Sequence, residues 1–197
     1  MLRTLAITAC AALALATAVA QASPPPTWLY YDDGIAYQPV YRQNKDDGWG
    51  VKFVPTAPGY IQQLKIYVGN PPRQTGWDGF YIEIWNWNAG TPGAKVWGPQ
   101  LFSYTLGGWV TSSAINYSWT STQPFVVLLK QPSNYPACDT LYCDTKQTKA
   151  NPNWSYFGYN WTPFGLVNGD FLFRCLYGAS MADVGPASWG RVKAAYR

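Results

Sequence analysis

The chain has 197 residues, 48% hydrophobic and only 12% charged, with a net charge of +4. That is enough apolar material for one core, too much for a disordered chain, and too small a positive excess for nucleic acid, since Lys and Arg stand singly along it. It carries 11 Trp, 15 Tyr and 8 Phe but no His, which favours sheet over helix and excludes His-based triads, His-ligated zinc and most haem chemistry.

Met1-Leu2-Arg3 is a positive start, Leu5 to Ala20 an apolar run, and Ala20-Gln21-Ala22 a small-x-small cleavage site. Residues 1–22 are therefore read as a signal peptide, and the mature chain as secreted, extracellular or held at the cell surface. The run is shorter than the roughly 20 strongly apolar residues of a spanning helix, and no later stretch is long and apolar enough to span.

Ser23-Pro24-Pro25-Pro26 opens a Pro-rich leader over residues 23–27, and a domain follows over 28–178. Trp49 to Val54 is a short strand closed by Pro55 and Pro58. In the next, Leu64, Ile66 and Val68 alternate with Lys65 and Tyr67. Phe80, Ile82 and Ile84 then alternate with Tyr81, Glu83 and Trp85, and Asn86 to Gly93 reads as a turn of several residues. Further strands are expected at Val96 to Tyr104, Trp109 to Ser113, Phe125 to Lys130, Ser155 to Tyr159 and Asp170 to Tyr177. Gln131 to Asn153 reads as a long loop or hairpin at one end. Some nine or ten short strands, no internal repeat and no sustained helical stripe predict a single all-β antiparallel sandwich of jelly-roll type. Residues 179–197 form a basic C-terminal tail, helical or extended. Trp189, Val192 and Tyr196 share one helical face there, and Trp189, Arg191, Lys193 and Tyr196 either dock on the sheet or bind a partner.

Export would leave three cysteines. Cys138 and Cys143 are expected to form a small disulfide in the loop, with Cys175 a buried thiol on the parity of Phe171, Phe173 and Tyr177. Glycoside hydrolysis needs two carboxyls across a scissile bond. The chain has a single Glu, Glu83, read as a solvated cross-strand partner, and the adjacent pairs Asp32-Asp33 and Asp46-Asp47 suit turns. No cofactor is called for, although Asp32 and Asp33 with loop carbonyls offer ligands for a structural calcium.

The aromatic residues are the main functional signal, because flat rings stack on the apolar faces of sugars. Trp77, Tyr81, Trp85, Trp87 and Trp109 form one candidate group. Trp154 and Trp161, with Tyr156 and Tyr159 between them, form a second. The same rings serve equally well as packing or a protein interface, since 11 Trp exceed what one small core hides.

Tyr30-Tyr31-Asp32-Asp33-Gly34, Gly48 to Pro55, Phe80 to Trp85 ahead of Gly90-Thr91-Pro92-Gly93, and Gly169 to Arg174 come in an order that resembles a jelly-roll-like module of secreted and cell-surface bacterial proteins. The resemblance implies an accessory or binding domain without catalysis over residues 28 to 177. Where that family commonly has acidic residues after the third motif, this chain has Asn86, Trp87 and Asn88. The function expected is thus a non-catalytic binding module for polysaccharide or another glycan. A structural subunit that assembles with itself or other surface proteins is the alternative, and a glycan-cleaving enzyme a third reading.

Overall fold

The computed structural model describes residues 25–69, 79–146, 152–165 and 169–179. The expected signal peptide, Trp77 and the tail residues Trp189, Arg191, Lys193 and Tyr196 lie outside them. Among the described residues there is strand, turn and coil but no helix, so none is long and apolar enough to cross a membrane.

Two antiparallel sheets pack as a sandwich. One contains β1 (Thr27–Leu29), β2 (Gln38–Val40), β4 (Gly59–Gly69), β10 (Thr140–Cys143) and β13 (Phe173–Gly178) in the order β1-β13-β4-β10-β2, and β7 (Gly108–Thr111) and β8 (Tyr117–Trp119) also pair with β4. The other contains β3 (Asp47–Phe53), β5 (Phe80–Asn88), β6 (Thr91–Phe102), β9 (Phe125–Lys130), β11 (Asn153–Phe157) and β12 (Trp161–Pro163), ordered β12-β11-β3-β9-β5-β6.

Period-two alternation sends one row of each strand inward. Trp49, Val51 and Phe53 of β3, Phe80, Ile82 and Ile84 of β5, and Phe125, Val127 and Leu129 of β9 meet Leu64, Ile66 and Val68 of β4 and Phe173, Cys175 and Tyr177 of β13 in one buried cluster. Rings join the layers: Phe53 stands edge-on to Phe173 at 5.9 Å, and Phe125 stacks on Tyr177 at 5.8 Å. Each such buried side chain contributes about 1.5–3 kcal/mol relative to exposure, and this layer fixes the sheet that carries the candidate site.

Three local expectations are corrected. The turn expected over Asn86 to Gly93 is only Ala89-Gly90, both at positive φ (47° and 93°), with Asn88 paired to Thr91. Positive φ at both central residues matches the strand twist of a tight hairpin, so β5 and β6 run on through the Asn and Pro residues. The segment expected as a long loop contains β10, which lies between β2 and β4 and puts Leu141 and Cys143 into the core. Its four residues show only two inward positions, too few for a visible pattern.

The third correction is the Cys138–Cys143 bridge. Cys138, Cys143 and Cys175 are all free and buried. Cys143 projects inward from β10, whereas Cys138 lies ahead of that strand with Sγ 3.9 Å from the Arg42 carbonyl. Burial then holds all three as thiols, raising Cys138 from 9.0 to about 11 with a further push from Asp139, and raising Cys143 and Cys175 further.

Candidate functional site

The outward face of the six-stranded sheet collects the candidate rings. In β3, Gly48 and Gly50 alternate with the buried Trp49, so the middle of that strand presents no side chain outward. Register then brings the neighbours over the gap. Trp154 and Tyr156 of β11 pair with Gly50 and Gly48, and Trp161 of β12 pairs with Tyr156. A Cβ on Gly50 would lie 2.6 Å from Trp161 Cζ3 and 2.9 Å from Val126 Cγ1. The indole therefore rests where only glycine permits it. From the other side β5 supplies Tyr81, Glu83, Trp85 and Trp87, the row opposite Phe80, Ile82 and Ile84.

Members of both sequence groups thus meet in one cluster. Trp85 is 5.5 Å from Tyr156 and 5.4 Å from Trp161, and Tyr156 is 4.9 Å from Trp161. Trp87 meets Trp154 edge-on at 5.4 Å, 77° between planes. The interlocking rings are half-buried, except Trp154, which is buried, and beneath them Val126 and Leu128 are sealed from solvent. Edge-to-face geometry makes a ridged aromatic surface rather than a flat one. It serves both as a second packing layer and as an outward apolar face.

Charge borders the rings. Glu83, expected to be solvated, is buried at 2% exposure, with Oε1 3.3 Å from both Lys95 Nζ and Lys130 Nζ and Oε2 accepting a 3.1 Å hydrogen bond from the Trp85 indole. Lys130 also reaches Asp46 at 3.4 Å. Burial alone would lower the Lys130 pKa, but Glu83 and Asp46 together outweigh it and hold it above 10.5. Burial, reinforced by Glu83, raises the Tyr156 hydroxyl above 10.0, and that hydroxyl donates to the Gly158 carbonyl at 2.8 Å. Lys52 Nζ sits 4.9 Å from the Trp87 ring centre, a cation–π contact, and Lys130 lies 5.9 Å from that of Tyr81.

Trp109 does not join the cluster. It stands on β7 in the other sheet, edge-on to Tyr67 at 5.6 Å, with the Arg174 guanidinium 4.4 Å from its ring centre. Arg174 holds the carboxylate offered above as a calcium ligand: its Nε donates to both oxygens of Asp32 at 3.1 Å. This hydrogen bonding raises the Arg174 pKa further, against the opposing effect of burial. Asp33 accepts from the Ile35 amide at 3.0 Å, a turn role. Among the described residues no three His, Cys, Asp or Glu side chains come together to hold a metal ion.

Lys52, Lys95 and Lys130 are polar members of the face that sequence reasoning left out, whereas Glu83 was placed on it but as a solvated partner. The signal for them was the Gly-Trp-Gly alternation, which marks a strand face that its neighbours must cover. Comparison with protein-family models, curated proteins and solved structures finds no match to the chain.

Proposed function

We propose that the protein is a non-catalytic, exported binding module of jelly-roll type that contacts carbohydrate through the outward face of its six-stranded sheet. The observation that carries this reading is the convergence of Trp85, Trp87, Trp154, Tyr156 and Trp161 beside Lys52, Glu83, Lys95 and Lys130. Rings supply apolar faces for sugar C–H groups, and the ammonium groups at the border supply directional partners for hydroxyls. Both oxygens of the buried Glu83 are committed to two ammonium groups and an indole N–H, which leaves neither open to a scissile glycosidic bond. The module would act as an accessory domain at the bacterial cell surface or outside the cell.

A structural subunit is the second reading, favoured by one observation: the rings already interlock, as an interface layer would. The two separate on a titration of purified protein with soluble polysaccharides, following Trp fluorescence and sedimentation together. Saturable quenching without change of mass supports the glycan module. Self-association without any response to glycan supports the subunit.

A further inference from the structure

Arg42 is a charged residue at 8% exposure with no carboxylate in salt-bridge range among the described residues. Its guanidinium is surrounded by rings instead, 4.8 Å from the centre of Phe157, 5.7 Å from Phe164 and 5.8 Å from Trp49. Its side chain donates one hydrogen bond, from Nη2 to Ser155 Oγ, and Nε has no partner. Burial is the larger effect and lowers its pKa from the usual guanidinium range, against the opposing pull of Asp47. A guanidinium stays protonated in any folded protein, so this is a largely desolvated cation whose Asp47 counter-charge stands beyond salt-bridge range.

Arg42 also lines an open cleft of about 210 Å³ with Gln38, Val40, Tyr41, Trp49 and Phe164. The cleft lies where the β2 edge of one sheet meets the inner side of the other, away from the outward aromatic face. The backbone is held in place: Gln131 Nε2 donates to the carbonyls of Arg42 at 3.2 Å and Asn44 at 2.6 Å. A fixed cation short of acceptors, with the exposed Tyr41 ring lining the same cleft, calls for an anionic acceptor on a body that can lie against a ring. The volume is below the roughly 300–1,000 Å³ of pockets for larger ligands, so it suits one ring-sized unit.

We propose that this cleft is a binding site for a carboxylate borne on a single six-membered ring, with the carboxylate on the Arg42 guanidinium and the ring against the exposed Tyr41. A sugar acid and an aromatic acid share this chemistry. The inference does not rest on the outward aromatic face. The test titrates the full chain, at constant ionic strength, with sodium glucuronate and sodium benzoate and with their uncharged counterparts glucose and benzyl alcohol, read by calorimetry and Trp fluorescence. Saturable binding of at least one carboxylate is expected, tenfold or more tighter than its uncharged counterpart. Which acid binds identifies the source of the carboxylate. Arg42→Lys, which keeps the charge but loses the fork, should weaken binding at least tenfold. Absence of binding by both acids, equal binding of the uncharged counterparts, or wild-type affinity in folded Arg42→Lys would each overturn the proposal.

Discussion

Gly50→Ala tests whether the aromatic layer is seated as described. The added methyl would stand 2.6 Å from Trp161 Cζ3 and 2.9 Å from Val126 Cγ1, where ordinary contact begins at 3.4 Å. Val126 cannot yield, being fully buried in β9 between β3 and β5. The Trp161 ring must therefore move by about 0.8 Å or swing away. Either response disturbs its contacts with Trp85 and Tyr156, each worth about 0.5–1.5 kcal/mol beyond area burial. Overpacking of this size costs about 1–3 kcal/mol. A loss near 2 kcal/mol corresponds to a fall in Tm of roughly 4–8 °C for a domain of this length. Thermal melting followed by near-ultraviolet circular dichroism should show that fall together with a weakened Trp signal already present in the native state. Gly165→Ala, where a Cβ would meet nothing within 4 Å, is the control. A Gly50→Ala protein that melts with the control and keeps the native Trp signal would refute the seating of Trp161 on Gly50.

Three further outcomes are expected. Because burial raises Cys138 from 9.0 to about 11 and Tyr177 from 10.0 to about 12, the native state holds more protons than the unfolded chain in that window. Stability should then be level below about pH 9 and decline as pH rises through that window; a urea midpoint that rises there would contradict the burial of these groups. The thiols of Cys138, Cys143 and Cys175 should resist a thiol reagent at pH 8 in the native protein and react fully in denaturant without reductant; loss of two of them to a bridge would restore the pairing expected from sequence. Asp32→Asn should cost roughly 2 kcal/mol in urea unfolding, less than a fully buried pair because Arg174 is 23% exposed; an unchanged midpoint would show that the pair is not structural.

Alternation made much of the fold legible. Phe80, Ile82 and Ile84 face the core and Tyr81 and Trp85 face outward as the pattern implies, and Cys175 lies inward with Phe173 and Tyr177. Pairing across distance was not legible. That Trp85 meets Trp161 depends on β3 and β9 lying between their strands, a register no local pattern encodes. Gln62 hid another break in the pattern: the register slips between Leu176 and Tyr177, so Ile61 and Leu64 both point inward although their parities differ. Glu83 looked solvated because an outward position on an antiparallel strand usually is, but Trp85, Lys95 and Lys130 cover it. Arg42 stood in a segment with no motif, and only the packing of Phe157 and Phe164 against it reveals a buried cation.

The most direct test of the outward face as a glycan site is a titration of the wild-type protein and of a Trp85→Ala, Trp87→Ala double variant with a panel of polysaccharides, read by Trp fluorescence and by retention on insoluble polymers. The expected result is saturable binding of at least one polymer by the wild type, lost by tenfold or more in a double variant that still melts cooperatively. Wild-type protein that is folded yet binds no polymer, or a folded double variant that binds as well as wild type, would contradict it.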